Sequence, residues 1–350
     1  MNTVHVRASK EYDVLIGSGL IQSLGQDVAR VLKVGKAAII SDSNVWPLYG
    51  EAVVASMVRS GFHTVSYVFP AGEDSKSGNT YLDLLNFLAE NQLTRSDCLI
   101  ALGGGVVGDL TGFTAATYLR GIAYVQVPTT LLAAVDSSVG GKTAIDLPAG
   151  KNLAGAFYQP SLVVCDTDTL NTLPYHVFRD GCAEVLKYAV LYDESLFAHL
   201  EHNGLDFDRE TVIAKCVMLK RDVVADDEFD TGARQKLNLG HTFGHSIEAQ
   251  SGYAITHGQA VAAGMAIIVR AAAEFGICTA DTACKISQLL EKFQLPTNTD
   301  FTAEELFFTA LSDKKRSGSH VNLIVPVSIG NCIIHPIAVD QMLSFIKAGL

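Results

Sequence analysis

The 350-residue sequence lacks features that would place it in several large classes of protein. Its seven cysteines contain no Cys-x-x-Cys pair and are odd in number, which favours the reduced, buried thiols of a cytosolic protein. Its apolar runs are too short to cross a bilayer, and the opening stretch "MNTVHVRASKEYDVLIGSG" has no signal-peptide core. We therefore expect a cytoplasmic protein without a membrane segment.

Basic residues are also scarce, since 26 Lys and Arg stand against 37 Asp and Glu, a formal net charge of −11. Nucleic acids and anionic membranes both need a basic surface, so neither is expected as the main partner. In such an acidic chain, any local gathering of Lys and Arg becomes informative. The length allows two domains and a large core.

The first half of the chain alternates apolar runs with segments of helical periodicity. Strands are predicted at 36–44, 63–73, 98–105 and 122–130, and helices at 49–62, 78–94 and 108–121; the pattern changes after 161–174. This alternation predicts a parallel sheet covered by helices on both faces, with ligands at the carboxyl ends of its strands. From about Asp180 helices dominate, and one late strand is predicted at 320–327. The predicted helices are 180–202, 210–225, 241–251, 257–276, 281–293 and 303–312.

A glycine-rich turn, "LGGGVVGD", follows an apolar strand and opens a helix. Gly103, Gly105 and Gly108 fit G-x-G-x-x-G, in which the backbone can approach a pyrophosphate at a helix N-terminus. The acidic residue expected about 20 residues later in that motif is missing, so a plain tight turn stays an equal alternative. Asp42 and Glu73 could hold a ribose instead, although a helix cap or turn residue is the more common role for each.

Two histidines in "NLGHTFGHSIE" share a helix face, because side chains four residues apart lie above one another. His257 opens the next predicted helix, and Glu184 in "GCAEVLKYAV" is a carboxylate among apolar residues, where burial is costly unless it is paired or coordinated. Two His and one Glu form a known catalytic zinc set. The alternative is a pair of core histidines with a Glu184–Lys187 ion pair.

Lys and Arg residues gather near the glycine turns and the histidines, in spite of the negative net charge. Any one of them could belong to a solvated face, but together they favour an anionic substrate bearing phosphate or carboxylate. These residues are Lys142, Lys151, Lys187, Lys220, Arg234 and the run 313–316.

Over nearly its whole length the chain resembles the 3-dehydroquinate synthase family. The segments that carry this resemblance occur in the family's order: "ALGGGVVGDLTGFTAATYLRGI", "QVPTTLLAAVDSSVGGKTAID", "KNLAGAF", "GCAEVLKYAV", "KLNLGHTFGHSIE" and "HGQAVAAGM". The resemblance implies an α/β, Rossmann-like NAD-binding domain over residues 1–170. A mainly α-helical domain, binding metal and substrate, would follow over 171–350.

The resemblance also implies the site residues. The metal ligands, for Zn²⁺ or Co²⁺, would be Glu184, His241 and His257. Contacts to NAD⁺ would come from Asp42, Glu73, Lys76, Gly104, Gly105, Val106, Val107, Gly108, Asp109, Thr129, Thr130, Lys142, Lys151, Thr169, Leu170, Asn171 and Thr172.

For the substrate, the resemblance implies catalytic roles for His245, Lys142, Lys187, Asn152 and Asp230. Further contacts would be Asp136, Lys220, Arg234, Asn238 and either Lys314 or Lys315, and Arg120 would reach the neighbouring subunit's site in a homodimer. Asp230 departs from the family, which usually has Glu four residues before the arginine; Asp is one methylene shorter.

The activity implied by the resemblance is a carbon–oxygen lyase reaction, the second step of the shikimate pathway. It converts 3-deoxy-D-arabino-heptulosonate 7-phosphate, a small anionic sugar-acid phosphate, into 3-dehydroquinate and phosphate, with NAD⁺ used and regenerated. Two enzymatic alternatives stay open: a related sugar phosphate cyclase, and a metal-dependent NAD alcohol dehydrogenase of the glycerol dehydrogenase type. A non-catalytic binding protein is the third.

Overall fold

A computed structural model describes residues 1–312, 316, 317 and 319–350. In chain order, the first part contains β1 (Asn2–Val6), β2 (Tyr12–Gly17), α1 (Leu24–Val31), β3 (Lys36–Asp42), α2 (Trp46–Arg59), β4 (His63–Phe69), α3 (Gly78–Glu90), β5 (Cys98–Gly103), α4 (Gly105–Thr117), β6 (Ala123–Pro128), β7 (Lys142–Leu147), β8 (Gly150–Phe157) and β9 (Leu162–Asp166). After these come α5 (Tyr175–Tyr192), α6 (Glu194–Asn203), α7 (Arg209–Asp226), α8 (His241–Gln250), α9 (His257–Glu274), α10 (Ala280–Lys292), α11 (Ala303–Ser312), β10 (Arg316–Ser317), β11 (His320–Ser328), β12 (Asn331–Ala338) and α12 (Val339–Gly349).

These elements form two compact units. The first comprises Met1–Pro174 and Arg209–Phe229, and the second comprises Tyr175–Asp208 and Asp230–Leu350. Helix α7 therefore returns to the first unit, where the ammonium of Lys220 donates to the main-chain oxygen of Asp136 at 2.8 Å and pairs with its carboxylate. The division into domains at residues 170 and 171 stays a prediction, and the compact units differ from it in the placement of α7.

A seven-stranded sheet in the order β1-β2-β9-β6-β5-β3-β4 forms the centre of the first unit. All its neighbouring strands are parallel except the antiparallel β1–β2 pair. Successive side chains of a strand point to opposite faces, so Ile39 packs in one cluster with Val53 and Met57, and Ile40 packs in another with Leu84. The predicted parallel sheet with helices on both faces is confirmed.

The second unit is mainly helical, as predicted, but two details of the prediction are wrong. The single helix predicted over 180–202 is interrupted at Asp193. This residue has an extended backbone (φ −147°, ψ 98°), and its carboxylate accepts from the Leu196 N–H and so caps a new helix. The predicted late strand is joined by β12 and by the short β10, and β12 pairs antiparallel with β11. Pro336 weakens the strand signal of β12, yet it is tolerated because β12 is an edge strand.

Within the described residues, no helix combines the length and the apolar character that a bilayer-spanning segment needs.

Candidate active site

The expected cofactor contacts of the first unit lie after the carboxyl ends of its parallel strands. Asp42 is the last residue of β3, Thr129 and Thr130 follow β6, and a short 3₁₀ turn, Thr167–Asn171, follows β9. Glu73 and Lys76 come after β4, and the segment Gly104–Asp109 comes after β5. Because these strands run parallel and neighbour one another, their carboxyl ends share one edge of the sheet, the edge at which ligands bind in such folds.

The glycine turn after β5 is shaped by close packing. A Cβ on Gly103 would lie 2.4 Å from Cγ2 of Val107, and a Cβ on Gly108 would lie 2.6 Å from Oε1 of Gln126. Gly104 is the extended residue before α4, which begins at Gly105. Packing alone accounts for two of the glycines, while the helix N-terminus that follows has the geometry of an anion site.

Lys76 is the centre of a charged cluster in the first unit. It is 5% exposed, and its Nζ donates to Oδ2 of Asp109 at 2.7 Å and to Oδ1 of Asn152 at 2.5 Å. Asn152 has a left-handed backbone (φ 55°), and its N–H donates to the carboxylate of Asp146 at 2.7 Å. The Asp146 N–H in turn donates to the Lys76 carbonyl oxygen at 2.7 Å. Lys76 and Asp109, both expected to contact the cofactor, thus meet Asn152, which is expected to be catalytic.

Burial and pairing shift the pKa values within this cluster. Burial lowers the pKa of Lys76, but the charge and hydrogen bond of Asp109 outweigh it, so the net shift is upward. Burial raises the pKa of Asp109 by more than Lys76 lowers it. Because its own pKa is raised, Lys76 stays protonated and acts as a fixed donor.

Several other expected cofactor residues have structural contacts of their own. The Asp42 carboxylate accepts from the N–H groups of Asn44 at 2.8 Å and Val45 at 3.0 Å. These contacts are those of a helix cap, the alternative role considered for Asp42. The Asn171 side chain accepts from Arg209 at 2.6 Å, and Lys151 lies 3.7 Å from the Glu73 carboxylate. Contacts to NAD⁺ stay predictions for these residues.

In the second unit, three side chains from separate helices converge. Glu184 of α5 is 1% exposed, and its Oε1 lies 3.6 Å from Nε2 of His241 and 3.4 Å from Nε2 of His257. Lys187, one turn further along α5, pairs with Oε2 of Glu184. One ligand atom from each of Glu184, His241 and His257 lies within 4.8 Å of the others, as a shared metal ion requires.

The packing of α9 on α5 holds His257 beside Glu184. Oδ1 of Asp180, one turn before Glu184, accepts from the Gln259 N–H at 3.0 Å and from the Thr256 hydroxyl. A Cβ on Gly258 would lie 2.0 Å from the Asp180 carbonyl oxygen, so only glycine allows this approach. Asp180 thus caps α9 and fixes where its first residue, His257, lies.

The imidazoles of His241 and His257 have opposite pKa shifts. Burial, with help from Lys187, pushes the pKa of His241 well below its usual 6.5. Burial also lowers the pKa of His257, but hydrogen bonds and charges of Glu184 and Glu248 outweigh it and raise the pKa to about 10. A metal ion needs deprotonated imidazoles, so an ion held here would displace a proton from His257.

Among the described residues, the remaining expected ones of the second unit lie on α8 and in the stretch 230–238 that precedes it. His245, on α8, has its ring centroid 5.4 Å from that of His241 and 6.2 Å from that of His257. Arg234 is 1% exposed, and Asn238 donates to the Gln235 carbonyl oxygen at 3.1 Å. Asp230 has a left-handed backbone (φ 57°). Lys314 and Lys315 lie outside the described residues.

Comparison with known proteins identifies the family. Residues 66–180 match the family described as 3-dehydroquinate synthase N-terminal, and residues 181–316 match 3-dehydroquinate synthase C-terminal. The 3-dehydroquinate synthase of Streptococcus suis (strain 05ZYH33) is 43% identical over 345 residues, which cover 96% of this chain and 97% of the relative. The chain belongs to the 3-dehydroquinate synthase family. The resemblance of its motifs is thereby confirmed.

Two solved structures resemble this family member closely. One is 2-deoxy-scyllo-inosose synthase complexed with carbaglucose-6-phosphate, NAD⁺ and Co²⁺, at 26% identity and a TM-score of 0.89, with both chains covered over 100%. The other is 2-epi-5-epi-valiolone synthase from Streptomyces hygroscopicus subsp. jinggangensis 5008 with NAD⁺ and Zn²⁺ bound, at 25% identity and a TM-score of 0.89. That match covers 99% of this chain and 98% of the valiolone synthase chain.

Three carboxylates of this 3-dehydroquinate synthase family member were missed by sequence reasoning. Asp146 and Asp180 are recognised only through their contacts, because nothing in their local sequence marks them. Glu248 did carry a signal: it follows His241 by seven residues, which places it on the same face of α8.

Proposed function

We propose that this chain converts 3-deoxy-D-arabino-heptulosonate 7-phosphate into 3-dehydroquinate and phosphate, with NAD⁺ consumed and regenerated in each turnover. The observation that carries the proposal is the convergence of Glu184, His241 and His257 in a member of the 3-dehydroquinate synthase family. The reaction is that of a carbon–oxygen lyase in the shikimate pathway.

The donor set of the second unit fits a divalent transition metal. It comprises two imidazole nitrogens and one carboxylate oxygen, the ligand types that Zn²⁺ and Co²⁺ accept, and the carboxylate is buried where it needs positive charge. Glu184, His241 and His257 would hold the ion. When bound, it would polarise the oxygen atoms at the reacting carbons of the substrate.

The sheet edge of the first unit fits a dinucleotide. The N-terminus of α4 after Gly104 suits a pyrophosphate, and the residues after β3, β4, β6 and β9 offer further contacts. When bound, NAD⁺ would accept a hydride from the substrate and return it later in the turnover. Lys76, held by Asp109 and Asn152, would keep a fixed positive charge beside the cofactor.

Basic and proton-carrying residues supply the remaining chemistry. We assign phosphate binding to Lys142 and Asn152 of the first unit and to Lys187 of the second. Lys314, which lies outside the described residues, is a further candidate. His245, one helical turn after the ligand His241, would hold or move a proton at the leaving phosphate. Much of the rate would come from holding the substrate in one geometry.

Recognition of a carboxylate is assigned to Lys220 and Arg234, both nearly fully buried, at 5% and 1% exposure. Such desolvated cations suit an acid substrate better than a neutral sugar. Asp136, which pairs with Lys220, and Asn238 would contact its hydroxyl groups. Asp230, four residues before Arg234, would accept a proton.

Assembly and location form a separate part of the proposal. We propose a cytoplasmic homodimer in which Arg120 reaches the partner subunit's site. In support, Arg120 is exposed, and it belongs to a turn of left-handed residues (Leu119 φ 52°, Arg120 φ 65°, Gly121 φ 123°). Light scattering of the purified protein tests the stoichiometry, and a monomer at working concentration would refute it.

The test of function is phosphate release from the heptulosonate phosphate at catalytic concentrations of NAD⁺, with absorbance at the NADH band followed in parallel. We expect many turnovers of phosphate per NAD⁺ and no net NADH. Stoichiometric NADH would instead indicate a dehydrogenase. Turnover of a sugar phosphate that lacks a carboxylate, without turnover of the heptulosonate, would indicate a related cyclase.

A further inference from the structure

Both imidazoles of the candidate metal centre have Nδ1 beside an oxygen acceptor. Nδ1 of His241 lies 3.0 Å from the Leu239 carbonyl oxygen, and Nδ1 of His257 lies 3.2 Å from Oε2 of Glu248. A carbonyl or an ionised carboxylate can only accept, so each Nδ1 carries a hydrogen. In the neutral imidazole the lone pair is then on Nε2, the atom that faces Glu184 in both residues.

The two acceptors differ in charge. Leu239 offers a main-chain oxygen, whereas Glu248 offers a carboxylate that is itself 4% exposed. A carboxylate is costly to bury, so a buried one opposite an imidazole is held there by a specific contact. A charged acceptor also orients the ring more strongly and makes the imidazole a better metal ligand than a carbonyl does.

The packing of α8 against α9 sets the distance between Glu248 and His257. A Cβ on Gly264 would lie 2.1 Å from the Gly240 carbonyl oxygen, and a Cβ on Gly244 would lie 3.1 Å from Cα of Val261. The two helices therefore approach backbone to backbone. Because Glu248 is on the same face of α8 as His241, its carboxylate reaches the ring of His257 from a rigid element.

We infer that Glu248 is a positioning residue, which holds His257 in its Nδ1–H tautomer so that Nε2 is presented to a divalent cation with Glu184 and His241. The inference rests on the proposed function, since it takes these three residues to bind a metal. Carboxylates that support a metal-bound histidine contribute about 10- to 100-fold in metal affinity.

A competing arrangement uses Glu248 as a direct ligand. His245, Glu248 and His257 also each offer a ligand atom within 4.8 Å of the others. A cation held by that set would not need Glu184. The effects of substituting Glu184 and Glu248 on metal affinity therefore separate the two arrangements.

The experiment measures the Zn²⁺ dissociation constant of the metal-stripped full-length protein by competition with a chromophoric chelator. Glu248→Gln keeps the shape but removes the charge, and Glu248→Ala removes the acceptor. Gln250→Ala, an exposed position two residues further along α8, is the matched control. Thermal unfolding and NAD⁺ binding of each metal-free variant show whether it is folded.

We expect Zn²⁺ affinity to fall about 10-fold in Glu248→Gln and about 100-fold in Glu248→Ala, and by more than either in Glu184→Gln. Gln250→Ala should stay within about twofold of the wild type, as surface substitutions usually do. The inference is overturned if Glu248→Gln, the variant that preserves the fold best, matches Gln250→Ala or equals Glu184→Gln. A wild-type protein that binds no Zn²⁺ would overturn the metal-dependent function as well.

Discussion

The charged clusters of the two units differ in how their charge is balanced. Around Lys76, a carboxylate and an amide already satisfy the ammonium, and the pKa shift keeps it protonated. Around Glu184, part of the balancing charge is a proton on His257, whose pKa is raised to about 10. A proton can be exchanged for a metal ion, whereas a lysine cannot. The first cluster is therefore balanced by its own residues, whereas the second can exchange its proton for a cation.

The largest effect is expected from Glu184→Gln, which removes the only charged ligand of the set Glu184, His241 and His257. Zn²⁺ binding should become undetectable at micromolar concentration, and turnover should fall by about a thousandfold or more because an amide is a poor ligand for zinc. Chelator competition and phosphate release measure the two quantities. The control is His176→Ala, at an exposed position of the same helix α5. Retained zinc affinity would remove Glu184 from the metal set.

Gly258→Ala tests whether the close approach of α9 to α5 maintains the second cluster. The new Cβ would lie 2.0 Å from the Asp180 carbonyl oxygen, so α9 must shift. We expect a loss of about 3 kcal/mol in the free energy of unfolding, typical of overpacking, together with weaker zinc binding. Urea denaturation measures the first effect. Gly78→Ala is the control, because a Cβ there meets nothing within 4 Å; an equal loss in both variants would contradict the packing argument.

The comparison also shows what sequence could and could not predict. The parallel sheet was predictable because strand and helix periods alternate, and His241 and His245 were placed together because they share one helix turn. The meeting of Glu184 with His241 and His257 came from family motifs, since it depends on contacts between three separate helices. Asp180 and Asp146 could not be found, because a cap or an acceptor is defined only by the segment it meets.

The return of α7 to the first unit could not be predicted for the same reason, because it depends on segments that are distant in sequence. Its helical period was visible, but which unit it joins depends on long-range contacts, such as that of Lys220 with Asp136, 84 residues away in sequence. The position of a helix within a fold is set by such long-range contacts rather than by local propensity. Asp193 shows the local counterpart, because a capping residue inside a long periodic stretch ended one helix and began another.

Asp97 is a carboxylate outside both clusters, and the pH dependence of its contribution to stability can be compared with theirs. Burial raises its pKa, but hydrogen bonds from the N–H groups of Thr94 and Lys36 and from the Thr94 hydroxyl outweigh it, so the net pKa is lowered. Asp97→Ala should cost about 2 kcal/mol of unfolding free energy at neutral pH.

A lowered folded-state pKa means that Asp97 stabilises the protein above its unfolded pKa, and that this contribution is lost as pH falls through the folded pKa. The stability difference between wild type and Asp97→Ala should therefore shrink below about pH 4. Urea denaturation at pH 7 and pH 3.5 measures it. A difference that stays constant over this range would mean that the ionised carboxylate is not what stabilises the fold.

Lys76→Met should produce the smallest effect, and one confined to the first cluster. Asp109 and Asn152 lose their shared donor, so Asn152 is held less firmly and the proposed cofactor site loses a positive charge. We expect NAD⁺ to bind about tenfold more weakly, the worth of one charge-assisted contact, with zinc affinity unchanged. Lys10→Met is the matched control, since Lys10 is a part-buried lysine of the same unit that donates to Ser161 at 2.6 Å. Calorimetric titration with NAD⁺ and chelator competition with zinc measure the two affinities, and a parallel loss of both would show that the clusters do not act separately.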